Sequence, residues 1–134
     1  MQTTGLATGY HNTYLSFDSP LMRQIRLEAY GEDIGQHSWV SADEIRNHIK
    51  VLGLTAESNL LDFGCGPCGP LTFIANEIGC KTVGVDLSAP ALAVGAARAK
   101  ELGVEELIEL READGNSALT FANSFDAIVA FDVV

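Results

Sequence analysis

The chain has 134 residues, 47% apolar and 19% charged, with 8 Lys and Arg against 18 Asp and Glu for a formal charge of −10. That length supplies one modest core and asks for no second complete domain, the charge opposes the phosphate neutralisation that drives nucleic-acid binding, and no apolar run approaches the ~20 residues that cross a bilayer. The N-terminus lacks the basic start and apolar middle of a secretory signal, so the expected compartment is the cytoplasm, where the 3 cysteines stay thiols.

Residues 1 to about 18 carry no strong pattern and are expected to be partly mobile. From Ser19 to Leu52 the pattern is helical: Ser41-Ala42-Asp43-Glu44 forms a capping box, Ile45, Ile49 and Leu52 fall on one face, and Gly53 is the natural stop. Residues 1–55 are therefore read as a helical extension, and 56–134 as a separate α/β unit. In that unit strand-like runs at Leu60 to Phe63, Thr82 to Val85, Ile108 to Leu110 and Phe125 to Phe131 alternate with helical stretches near Leu71 to Ile78 and Ala89 to Leu102. Gly79 and Gly103 close the helices, and Ser88 with Pro90 opens the second. Such alternation predicts a doubly wound parallel sheet with crossover helices. The runs Leu60 to Phe63 and Ala127 to Val129 lack polar alternation, as expected of central strands covered on both faces. The last residues, Phe131-Asp132-Val133-Val134, end an apolar strand, so one flank is expected to expose apolar surface. A fragment is the expectation, or a chain completed by another copy through the edge of the fourth strand.

The stretch Asn59-Leu60-Leu61-Asp62-Phe63-Gly64-Cys65-Gly66-Pro67-Cys68-Gly69-Pro70 satisfies three motifs at once. Cys65 and Cys68 make a C-x-x-C, the spacing of dithiol redox sites. A thioredoxin-like site is disfavoured, because only Gly64 separates the strand end from Cys65 and no proline follows Pro90 to supply a cis-proline loop. Zinc would need two further ligands, and Cys80, His37 and His48 show no paired spacing, so no metal site is expected. Gly64, Gly66 and Gly69 make a G-x-G-x-x-G with Asp86 about 20 residues on, the dinucleotide fingerprint of FAD- or NAD-binding domains. Against that reading, Asp62 sits in a strand slot where an unpaired carboxylate is costly, and Phe73 stands where close helix packing wants a small residue.

Asp62-Phe63-Gly64-Cys65-Gly66, followed by Gly84-Val85-Asp86-Leu87-Ser88, Asp114-Gly115-Asn116 and Phe125 to Asp132, resembles the ordered motifs of class I S-adenosylmethionine-dependent methyltransferases of the small-molecule type. The resemblance covers roughly Asn59 to Val134 and implies a Rossmann-like sheet, its first half in strand order 3-2-1-4, with S-adenosyl-L-methionine as cofactor and a small-molecule methyl acceptor. It implies that Asp62 and the turn at Gly64, Cys65 and Gly66 hold the amino-acid end of the cofactor. Asp86 would take the ribose hydroxyls, Leu87 pack on adenine, Asp114 with Gly115 meet the adenine amino group, and Phe131 lie beside the transferred methyl. Asp132 is the candidate to orient the nucleophile or accept its proton. The match departs at Cys68, where the family's third glycine is usual. Tyr30 to Trp39 resembles the aromatic-Gly-Glu segment that folds over the cofactor in part of this family, making Ile34, Ser38 and Trp39 candidate lid contacts; the alternative is a loop whose Trp39 packs in the core. A domain that holds a nucleoside ligand without turnover is the non-catalytic alternative.

Overall fold

A computed structural model describes residues 16–37, 40–114 and 124–131. Helix α1 spans Pro20–Tyr30 and α2 spans Ala42–Leu52. Strand β1 (Asn59–Phe63), helix α3 (Gly69–Ile78), strand β2 (Lys81–Asp86), helix α4 (Ala89–Leu102), a short 3-10 turn at Glu105–Leu107, strand β3 (Ile108–Glu112) and strand β4 (Ala127–Val129) follow. The four strands pair in parallel in the order β3-β2-β1-β4. This is the sheet order the sequence implied. Of the doubly wound arrangement, the described residues include the helical layer on one face; the connection at residues 115–123 lies outside them.

Local chemistry sets the element ends where the sequence placed them. Ser41 accepts from the Glu44 N–H while the Glu44 carboxylate accepts from the Ser41 N–H, the reciprocal box that opens α2. Ser88 caps α4 through the Ala91 N–H. Gly31, Gly53, Gly79 and Gly103 each close a helix in the left-handed region. The helical pattern from Ser19 to Leu52 is two helices, because Gly31 ends the first with φ +77°. Leu52 departs from the expected buried face of α2 and is exposed. Leu54, just past the Gly53 cap, takes the place in the core instead.

The main core joins Ile45 and Ile49 of α2 to Leu60 of β1, Phe73 and Ile74 of α3, and the partly buried Ala127 and Val129 of β4. Each fully buried Leu or Ile contributes ~2 kcal/mol. The core therefore runs across residue 55, tying α2 to the sheet. On α4, Leu92 packs with Leu71 and Leu110, and Ala99 packs with Ala75 and Ile108. Leu61 and Val85 point the other way and cluster with Phe63, Val83 and Phe125.

Strand β4 is an edge of the described sheet: its Ala127 and Val129 pack on the main core, while Ile128 is 52% exposed. The apolar surface expected on that flank is this side chain. Most of the N-terminal stretch expected to be partly mobile lies outside the described residues, but Phe17 and Asp18 are anchored: Phe17 is buried and Asp18 pairs with Arg26 at 2.8 Å.

Candidate functional site

Parallel strands gather their C-terminal ends along one sheet edge, where open α/β folds place ligands. Asp62, one residue from the end of β1, is in register with Gly84 of β2, and Asp86 ends β2 in register with Glu112 of β3. Asp114 follows two residues later and is exposed. Asp62, Asp86 and Asp114 thus stand on three adjacent strand ends, as the sequence implied.

The turn between β1 and α3 is bound to β2 at both ends. The N–H groups of Gly64 and Cys65 both donate to the Val85 carbonyl, at 2.8 and 3.1 Å. The Gly66 N–H donates to Asp86 Oδ2 at 2.8 Å, and the Ser88 N–H donates to Asp86 Oδ1 at 2.8 Å. Asp86 therefore does more than end a strand: it fixes the glycine turn and the entry to α4 together. The Cys68 N–H donates to the Cys65 carbonyl at 2.9 Å, which makes the turn tight. Gly64, Gly66 and Cys68 all have positive φ, at +71°, +53° and +64°. Such alternation lets successive amides point into one concavity. The first N–H groups of α3 lack intrahelical acceptors and face the same end of the sheet.

Cys68 is the non-glycine residue in the left-handed region, which costs a side chain ~1–2 kcal/mol. This is where the family's third glycine was expected, and the backbone keeps the glycine conformation without the glycine. The thiol repays part of that strain by packing. A Cβ at Gly95 of α4 would lie 2.5 Å from Cys68 Sγ, and a Cβ at Gly84 would lie 2.8 Å from Cys65 Sγ. Both thiols fill notches left by glycines on neighbouring elements. They lie 3.5 Å apart, and that hydrogen bond together with burial pushes the Cys65 thiol well above the usual thiol range. Cys65, raised in this way, supplies little of the thiolate that dithiol redox chemistry requires.

Asp62 is 1% exposed, and its Oδ1 has no hydrogen-bond partner among the described residues. Burial, with a smaller contribution from the charge of Asp86, raises its pKa to about 8. A buried carboxyl whose Oδ1 has no partner among the described residues, beside a tight glycine turn, fits a cationic group of a ligand. Beyond Asp86, Leu87 is 71% exposed, an apolar side chain presented at the strand end.

The remaining expected positions divide. Gly115, Asp132, Ser38 and Trp39 lie outside the described residues. Phe131 is partly buried against the main core, its ring 6.1 Å from that of His48. Ile34 is buried in the same core, so its side chain is a packing group. Among the described residues no group of three or more His, Cys, Asp or Glu is placed to hold a metal, and no helix is long and apolar enough to cross a membrane. Sequence reading missed the glycines that receive the thiols. Gly84 interrupts a strand and Gly95 a helix, and each such break signals close approach of another group.

A family model of a methyltransferase domain matches residues 60–134. Among curated proteins, the geranyl diphosphate 2-C-methyltransferase of Streptomyces ambofaciens is 36% identical over 70 residues, which are 52% of this chain and 23% of that protein. The chain thus spans about a quarter of the length of the curated relatives it matches. Among solved structures, an S-adenosylmethionine-dependent methyltransferase from Geobacter sulfurreducens in complex with S-adenosyl-L-homocysteine superposes with a TM-score of 0.55 at 26% identity, covering 73% of this chain and 38% of that one. A second, from Thiobacillus denitrificans, shares the fold with a TM-score of 0.59 at 20% identity over 85% of this chain and 38% of its own. With its sheet order, its glycine turn and its ordered strand-end acids, the chain belongs to the methyltransferase-domain family of class I, Rossmann-like type.

Proposed function

We propose that this domain binds S-adenosyl-L-methionine along the strand ends and serves methyl transfer to a small-molecule acceptor. The observation that carries the reading is Asp62: a carboxyl buried with an unpartnered Oδ1 under the glycine turn is explained by a ligand ammonium and by nothing else among the described residues. The donor set fits the rest of the cofactor. The turn and the first amides of α3 suit its carboxylate, Asp86 has lone pairs left for ribose hydroxyls beyond the two N–H groups it accepts, exposed Leu87 suits the adenine face, and Asp114 with Gly115 its amino group.

The cofactor supplies a methyl group already activated on a sulfonium, so the protein's work is binding, alignment and exclusion of water. Asp62 and Asp86 fix the two ends of the ligand relative to one another through a turn that they share. The acceptor is expected to be small, since a formal charge of −10 opposes a nucleic-acid partner. The relatives named for geranyl diphosphate methylation offer a precedent for a small-molecule acceptor, and the cytoplasm is the expected compartment. Phe131 and Asp132, next along the chain after β4, are assigned to the methyl-transfer side, with Asp132 orienting the nucleophile or taking its proton.

Parallel calorimetric titrations with S-adenosyl-L-homocysteine, FAD and NAD test the cofactor. Binding of the first alone is expected; binding of FAD or NAD in its place removes the reading. For Asp132, substitution by Asn in the complete enzyme with an identified acceptor is expected to lower turnover. Unchanged turnover takes Asp132 out of the mechanism.

A further inference from the structure

Arg98 of α4 is 7% exposed, an unusual burial for a charged side chain. Its Nη2 donates to the Asp33 carbonyl at 3.1 Å and its Nη1 to Asp18 Oδ1 at 3.4 Å. Asp18 and Asp33 also pair with buried Arg26, at 2.8 and 2.7 Å, and Arg23 joins Asp18 at 3.7 Å to Glu101 at 2.8 Å, so three guanidiniums and three carboxylates balance within one cluster. The segment they hold, residues 33–36, has its own internal bonds. The Gly35 N–H donates to Asp33 Oδ1 and the Ile34 N–H to Gln36 Oε1.

This strap lies wedged between Arg98 and the cofactor turn. On one side, a Cβ at Gly35 would lie 2.8 Å from the Arg98 guanidinium. On the other, a Cβ at Gly69 would lie 2.2 Å from the Gly35 carbonyl oxygen, so the strap backbone rests directly on the first residue of α3. Helix α4 touches the turn as well, one helical turn earlier, where Gly95 receives Cys68 Sγ and approaches the Pro67 carbonyl. Positions 95 and 98 of one helix thus hold the turn and the strap in fixed relation.

We propose that Arg98 is a positioning residue for cofactor binding, acting through strap residues 33–36 to brace Cys68 and Gly69 in the geometry the ligand requires. This rests on the cofactor reading of the site given above. A guanidinium is needed because its two Nη groups reach two partners in fixed relative directions; an ammonium keeps the charge but loses the fork. The residue touches neither ligand nor reacting atoms.

The test compares Arg98→Met, Arg98→Lys and Arg23→Met with the wild-type protein. Arg23 is the control: it shares Asp18 with Arg98 and makes paired 2.8 Å bonds to Glu101 of α4, but none of its bonds reaches residues 33–36. Dissociation constants for S-adenosyl-L-homocysteine are measured below each variant's thermal transition, so that lost stability does not masquerade as lost affinity. Both Arg98 variants are expected to bind about tenfold or more weakly, with Arg23→Met within about twofold of wild type. Hydrogen–deuterium exchange without ligand is expected to rise in residues 64–72 of the Arg98 variants and not of the Arg23 variant. In the wild type, added S-adenosyl-L-homocysteine is expected to protect residues 33–36 and 64–72 together, a measurement that survives even if the Arg98 variants do not fold. Folded Arg98 variants with unchanged affinity, or ligand protection of the turn without the strap, overturn the proposal. A wild-type protein that fails to bind the ligand at all sinks the cofactor reading instead.

Discussion

The state of Asp62 makes a quantitative demand on pH. Its carboxyl is raised to about 8 in the folded protein against an ordinary 3.8, so between those values the folded state holds a proton that the unfolded state has lost. Stability from this group is fully present below about pH 4 and declines as pH rises, by ~1.4 kcal/mol per pH unit, until the folded carboxyl itself ionises near pH 8. From pH 5 to pH 7 the loss is about 3 kcal/mol, a large share of the 5–15 kcal/mol typical of a domain. Asp62→Asn keeps the shape and cannot titrate, so subtracting its curve cancels every other acid. Urea unfolding of both proteins at half-unit steps from pH 5 to 9 gives the difference directly: it is expected to fall by about 3 kcal/mol to pH 7 and to flatten above pH 8. A difference that stays constant within ~0.5 kcal/mol refutes the burial argument. The same proton reports on function. A cofactor ammonium beside the carboxyl stabilises its charged form, so binding at pH 6.5 should release close to one proton, seen as a dependence of the calorimetric enthalpy on buffer ionisation. Asp62→Asn should abolish that release and weaken binding by roughly tenfold to a hundredfold, the worth of a charged hydrogen bond.

Other substitutions probe the turn and its supports. Asp86→Ala strips the acceptor from the Gly66 and Ser88 N–H groups, and is expected to lower the unfolding free energy by ~1–3 kcal/mol and to abolish measurable cofactor binding. Gly69→Ala places a methyl group against the Gly35 carbonyl and should cost ~1–3 kcal/mol by chemical denaturation. Cys65 and Cys68 should resist alkylation at pH 8 in the folded protein and react on addition of urea; rapid modification of the native pair would contradict the buried, packed role assigned to them.

Much of this molecule was legible in the chain because the signals involved are local. Caps at Ser41 and Ser88, closing glycines at Gly53, Gly79 and Gly103, and the alternation of strand and helix depend on backbone sterics and hydrogen bonds within a few residues. They set the elements, and the order of acids at 62, 86 and 114 then marked one edge of the sheet. The apolar run of β4 told of burial but not of which face: Ala127 and Val129 pack on the main core while Ile128 stays exposed. What the strand ends do to one another was decided by tertiary structure. Cys68 holds a glycine conformation, and its thiol is packing material because Gly95, from a different helix, leaves the notch it fills. Arg98 and Asp33, 65 residues apart, meet across a strap that no periodicity announces. The sequence marked Asp62 as a costly carboxylate in a strand slot; burial beside Asp86, with no partner for Oδ1 among the described residues, is what raises its pKa to about 8. Local sterics write themselves into short stretches of sequence, whereas desolvation and close approach exist only once distant residues have been brought together.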